Sequence, residues 1–407
     1  MNPQTSLIDH ASRWAGYTPA ATALAGPSGR WTYADLDRAA DGYASWLAAR
    51  GVRANDRVAL LARNDPAFFP LLFGCLRRGA VLAPLNWRLA RPETEAVLAL
   101  ARPGVLLADG AHIDVARSLP LPDGCVAERL PDHPDRGPHA PAPGGDEHPG
   151  LVLFTSGTTG LPKAAVLPVR QMFWNGVNTI LAFRLTAADR TLVFTPLFHT
   201  GAVNVLAMPL LQCGGSVVVH EGFDARRVID SIREDGVTVL FGVPVILRML
   251  ADTPGFWDAA ARLRLCLCGG APLAVSLIRE YEAHGVVLTQ GFGMTEAGPN
   301  CFFLPPDQAL ARAGSVGRPM PYAEARIDCG GREAAAGEVG ELCLRGPHVF
   351  LGYRDNPAAT AAAIRDGWLR TGDLVTRDED GFYRVAGRGK DMFISGGENV
   401  YPAEVEG

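Results

Sequence analysis

The segment richest in chemistry is Thr155-Ser156-Gly157-Thr158-Thr159-Gly160-Leu161-Pro162-Lys163. It follows the apolar run LVLFT (151–155), which reads as a strand, so the segment sits at a strand's carboxyl end, where open α/β sheets hold ligands. Gly157 and Gly160 let the main chain approach an anion closely. The hydroxyls of Thr155, Ser156, Thr158 and Thr159 and the loop N–H groups can donate to phosphate oxygens, and Lys163 adds positive charge. This is not the Gly-Lys-Ser/Thr loop of P-loop kinases and ATPases, because Pro162 precedes Lys163 and Ala164 follows it. Alone, such a stretch is more often a plain surface loop. Its neighbours in the sequence decide.

With this loop, the chain resembles the adenylate-forming superfamily of acyl-CoA synthetases, aryl-CoA ligases, luciferases and peptide-synthetase adenylation domains. The resemblance is collinear from about Trp31 onward and rests on TSGTTGLPK (155–163), PLFHTG (196–201), GGAPL (269–273), GFGMTEAG (291–298), GELCLRGPHVFLGY (340–353), GWLRTGDL (367–374) and GRGKDMFISGGENVYPAEVE (387–406). It implies activation of a carboxylic acid by ATP and Mg²⁺ to an acyl-adenylate, with release of pyrophosphate and then transfer to the thiol of CoA.

Carried over position by position, it sets Thr155, Ser156, Gly157, Thr158, Thr159, Gly160 and Lys163 on the β- and γ-phosphates. Gly291, Phe292, Gly293 and Met294 would border the nucleotide, Thr295 the α-phosphate, and Glu296 the Mg²⁺ ion, a hard cation suited to carboxylate oxygen. Phe292 stands where the family commonly has a tyrosine, which keeps stacking on adenine and removes a hydroxyl. Gly269, Gly270, Ala271 and Pro272 would pass along the adenine, Asp373 would accept from the ribose hydroxyls, and Arg388 would assist at ribose or phosphate. His199 falls beside the acyl pocket as a gate or carboxylate neighbour, with Trp174, Asn175, Val203, Asn204, Phe241 and Gly242 as pocket wall. Apolar and small residues predominate there, which favours a hydrophobic or aromatic acid. Each also has a plainer reading: Trp174 as helix core, His199 as structural, Glu296 as a solvated loop carboxylate, Asp373 as a turn residue.

The resemblance also places a hinge at Lys390, dividing a large adenylation domain (1–389, β-rich from 312) from the first residues of a small C-terminal domain (390–407). The glycine-lysine motif usual near the end of that small domain does not occur, so the chain reads as shortened, able to bind ATP, acid or acyl-adenylate but impaired in turnover. The undivided PLFHTG and GFGMTEAG motifs favour CoA over amino-acid adenylation. A carrier-protein phosphopantetheine as acceptor, or a non-catalytic nucleotide-binding module, stays open.

The elements that must position these residues alternate. RVALLA (57–62), VLAPLN (81–86) and VLLAD (105–109) read as strands separated by helices at 66–79 and 92–101. After the Pro/Gly/His-rich loop 131–150, a second series follows: LVLFT, TLVFT (191–195), SVVVH (216–220), TVLFG (238–242), LRLCLC (263–268) and VVLTQ (286–290). Two such series predict a layered α/β body of two helix-covered sheets, and the short Gly-punctuated strands after Arg312 predict a smaller antiparallel β part. A net charge of −5 offers no general attraction for nucleic acid, and neither a secretory signal nor a membrane span is legible. Cys266 and Cys268 alternate with leucines and read as buried strand residues; the chain reads as a cytoplasmic enzyme, and a homodimer is compatible with it.

Overall fold

The computed structural model describes residues 7–27, 29–137, 145–155 and 162–389, and the backbone of two short paired strands, Phe393–Ser395 and Glu398–Val400. Lys390 and the loop positions Ser156, Gly157, Thr158, Thr159 and Gly160 lie outside the described residues.

Two large sheets form the body. The first has seven strands in the spatial order Gly352–Tyr353, Lys163–Pro168, Pro149–Thr155, Val81–Pro84, Arg57–Leu61, Val105–Ala108 and Val126–Arg129. From Pro149–Thr155 onward they run parallel. Every residue of Val81–Pro84 and Val105–Ala108 is buried, which is why these strands read as unbroken apolar runs rather than alternating ones. Tyr33–Ala49 and Phe68–Arg77 are packed helices beside them. The first starts at a capping box, in which the Thr32 side chain accepts from Asp35 N and the Asp35 carboxylate accepts from Thr32 N. The two helices cross closely at Gly74, where a Cβ would fall 2.6 Å from that of Tyr43.

The second sheet has nine strands, in the order Arg318–Pro319, Gly298–Phe303, Leu288–Met294, Leu265–Cys268, Val239–Gly242, Arg190–Val193, Ser216–Val219, Thr22–Gly26 and Gly29–Thr32. Its centre is parallel and its two edges antiparallel. Cys266 and Cys268 both lie in the core on one side of it, and burial pushes the Cys268 thiol up to about 12, so neither is poised for redox or metal chemistry. The third sheet is the expected antiparallel part, six strands between Glu324 and Arg388.

Sequence order and spatial order part company twice. LVLFT opens the second series of strands, yet it joins the first sheet, with Leu151 beside Leu82. Thr22–Gly26 and Gly29–Thr32 precede the first series and close the edge of the second sheet. Parallel pairing needs a crossover connection, and such connections break the link between neighbours in sequence and neighbours in space.

Candidate active site

The strands on either side of the predicted phosphate loop pair with each other. Thr155 and Lys163 face each other across the antiparallel strands Pro149–Thr155 and Lys163–Pro168, so the strand end is followed by a returning strand rather than by a helix. The GFGMTEAG segment is a second hairpin. The strand Leu288–Met294 runs on through Phe292 and Gly293, pairs antiparallel with Gly298–Phe303, and turns through the 3₁₀ residues Thr295–Ala297.

That turn is held from three sides. Gln171 Nε2 donates to the Thr295 carbonyl at 2.9 Å, and Phe350 N donates to the Glu296 carbonyl at 2.8 Å. The His348 ring nitrogen Nδ1 lies 2.6 Å from the Ala297 carbonyl, and burial lowers the pKa of this histidine, so a neutral ring donates there. Glu296 is only 6% exposed. Its Oε1 accepts from Tyr353 Oη at 2.8 Å and from Thr155 Oγ1 at 3.4 Å. The face of the Tyr353 ring carries the Lys163 ammonium 4.9 Å from its centroid.

Thr155, Lys163, Gly293, Met294, Thr295, Glu296 and Arg388 line one cavity of about 690 Å³, with Tyr353 and Ala359, Ala362 and Ala363 of the helix Pro357–Ala363 on its wall. Asp373 and Arg388 are cross-strand partners at its edge, Oδ1 to Nε 2.9 Å. Burial raises the Asp373 carboxyl, and Arg388 opposes that shift. Asp373 Oδ2 is buried and lacks a hydrogen-bond partner among the described residues.

The other predicted positions are not among the described residues that line this cavity. Gly269 follows the strand Leu265–Cys268 beside the Gly291 carbonyl, and Gly270, Ala271 and Pro272 form an exposed turn. The Phe292 ring meets Phe302 edge-on at 5.9 Å. The Phe241 ring lies between Gly201 and Gly269, against which Cβ atoms would stand 3.3 and 3.5 Å away. Gly242 is buried against Leu247. His199 is exposed at the start of the turn Thr200–Ala202. Its pKa is lowered by the protein mass around it and then by the Arg88 charge. Asn175, Val203 and Asn204 are buried. Asn175 Nδ2 donates to the Asn204 carbonyl at 2.6 Å, and Asn204 Nδ2 donates to Thr200 Oγ1 at 3.1 Å, stitching the helix Val169–Phe183 to the π-turn Val203–Ala207. Trp174 is half-buried against Tyr322, their rings 4.8 Å apart.

The chain matches the family model described as AMP-binding enzyme over residues 11–354. It is 40% identical over 403 residues to a feruloyl-CoA synthase of an Amycolatopsis species, covering 97% of this chain and 81% of that protein. Identity is 39% to an indoleacetate–CoA ligase of Aromatoleum aromaticum, over 98% of this chain and 82% of that one. The chain belongs to the AMP-binding enzyme family. Its fold superimposes with a TM-score of 0.89, at 29% identity, on Bacillus subtilis O-succinylbenzoate coenzyme A synthetase in complex with ATP and magnesium ion, covering 98% of this chain and 83% of that one. An AMP-binding enzyme of this kind is an AMP-forming acid–thiol ligase, and the layered α/β body is that of acyl-CoA synthetases.

The residues present fit a magnesium nucleotide. Among the described residues no group of three or more His, Cys, Asp or Glu could hold a metal ion. Mg²⁺ needs none, because it commonly binds through one or two carboxylates plus waters and substrate phosphates. Among the described residues no helix is long and apolar enough to cross a membrane. Sequence reading missed Tyr353, Gln171 and His348. The motif GELCLRGPHVFLGY was visible, but nothing in it announced contact with Glu296 or with its turn.

Proposed function

We propose that the 690 Å³ cavity takes ATP with Mg²⁺ and that an aromatic acid approaches it past His199 and Phe241. The observation that carries this reading is the convergence on one cavity of Lys163 from one hairpin, Glu296 from another, and Arg388, whose buried partner Asp373 sits between the lining residues Gly372 and Leu374. Asp373 Oδ2 is the buried acceptor that a ribose hydroxyl would satisfy. Lys163 and the hydroxyls of the sequence segment 155–159 would meet the terminal phosphates, Thr295 the α-phosphate, and Glu296 the cation. Phe292 would lie along the adenine with the turn 269–272.

The acid's carboxylate oxygen bonds to the α-phosphorus as the bond to the bridging oxygen breaks, and pyrophosphate leaves with the electron pair. Bound Mg²⁺ supplies charge neutralisation for that leaving group. Lys163 adds a fixed donor aimed where negative charge grows. The CoA thiol then displaces AMP at the acyl carbon. Feruloyl and indoleacetate relatives, with the flat Phe241 wall, support an aryl acid and CoA as the acceptor.

Acid-dependent exchange of pyrophosphate into ATP tests the reading. Ferulic, indoleacetic and straight-chain fatty acids are compared. Exchange with the aryl acids above the fatty acids is expected. ATP binding without exchange for any acid would sink it.

A further inference from the structure

Tyr353 joins two groups that the proposed reaction uses separately. It stands in a two-residue strand, Gly352–Tyr353, paired with Lys163–Pro168, so its backbone is fixed to the strand that carries Lys163. Thr360 Oγ1 accepts from Tyr353 N at 2.9 Å and ties that strand to the helix Pro357–Ala363. The hydroxyl donates to Glu296 Oε1, and the ring face seats the Lys163 ammonium. Thr155 Oγ1 reaches the same Oε1, so both described hydrogen bonds to this carboxylate fall on one oxygen.

We propose that Tyr353 is a positioning residue for the cation: its hydroxyl pins Glu296 Oε1, presenting Oε2 to the metal, while its ring holds Lys163 at a fixed spacing from that oxygen. This rests on the reading that Glu296 meets Mg²⁺. An unpinned carboxylate on a three-residue turn would sample orientations that point away from the phosphates, and metal affinity would fall. Aligning a ligand through its outer hydrogen-bond partner is a general device of metal sites. The ring does a second, separable job. Without it the ammonium loses a face to rest on and returns to solvent.

Two substitutions separate the jobs. Tyr353→Phe keeps the ring and removes the hydroxyl; Tyr353→Leu removes both. Mn²⁺, which shares the oxygen preference of Mg²⁺, is titrated into protein with saturating ATP and followed by electron paramagnetic resonance. ATP binding without divalent metal is measured by calorimetry. Tyr353→Phe is expected to weaken Mn²⁺ by about tenfold and to change metal-free ATP binding less than Tyr353→Leu does. Tyr353→Leu is expected to weaken both. Equal Mn²⁺ affinity in Tyr353→Phe and wild type, with thermal unfolding unchanged, would overturn the proposal alone. A wild-type protein that binds neither ATP nor Mn²⁺ would instead overturn the reading of the site beneath it.

Discussion

Protonation separates the side chains around the cavity. Burial, then the neighbouring Glu296 charge, pushes the Tyr353 phenol well above its ordinary value, so it stays a donor throughout the neutral range. His199 shifts the other way. Although the side chain reaches the surface, desolvation by the surrounding protein and then the Arg88 charge lower its pKa, so the folded protein keeps the ring neutral where an unfolded chain would begin to charge it. This histidine therefore costs stability as pH falls from about 6.5 toward its folded value, and costs nothing above about 6.5. A neutral ring cannot dock a carboxylate by charge. KM for the acid is therefore expected to be flat from about pH 7 to 8, and His199→Phe should keep that flatness with less than about a tenfold loss in kcat/KM. A wild-type KM that falls steeply with acidification, and a variant that abolishes the slope, would assign His199 an electrostatic role instead. The residue types of this site were legible because their chemistry is local. Tyr353 was not, since its partner lies 57 positions away in sequence.

The two hairpins show what local pattern can and cannot reveal. Apolar runs marked LVLFT and VVLTQ as strands, but the second continues through Gly291 to Met294, where glycines alternate with large residues. Glycine is depleted in strands, so this extension looks like a loop. In space it is a strand because close pairing demands it. A Cβ at Gly293 would collide with the Pro299 carbonyl on the returning strand. Gly293→Ala should therefore open the hairpin at the turn that carries Thr295 and Glu296. Overpacking of this kind costs about 1–3 kcal/mol, and pyrophosphate exchange is expected to drop by more than about a hundredfold, with a measurable fall in melting temperature. Exchange near wild type would mean that the turn's geometry is set instead by Gln171, His348 and Phe350.

Across the molecule, the layered α/β body and its antiparallel extension followed from periodicity, whereas the membership of each sheet did not. What anchors the first sheet's helices was also hidden. Arg77, at the last position of the helix Phe68–Arg77, reads in sequence as one of two basic residues ending a helix. Its side chain is 9% exposed and bonds Asp9 at 2.9 Å, Asp37 at 2.6 Å and Asp41 at 2.7 Å. Asp9 caps the helix His10–Tyr17, and Asp37 and Asp41 lie one turn apart on Tyr33–Ala49, so a single guanidinium clamps three helices. The surrounding carboxylates outweigh the burial that would otherwise lower its pKa, which is raised, so the charge persists at every working pH. Replacing one member of a buried ion cluster strands the others, at a cost of about 3–5 kcal/mol. Arg77→Met should accordingly lower the denaturant midpoint, while ATP affinity per folded molecule stays at the wild-type value. The clamp lies among the first-sheet helices and bonds to none of the residues lining the 690 Å³ cavity. A midpoint matching wild type would show that Asp9, Asp37 and Asp41 hold the three helices without their arginine; lost affinity in the folded variant would show that helix packing reaches the site.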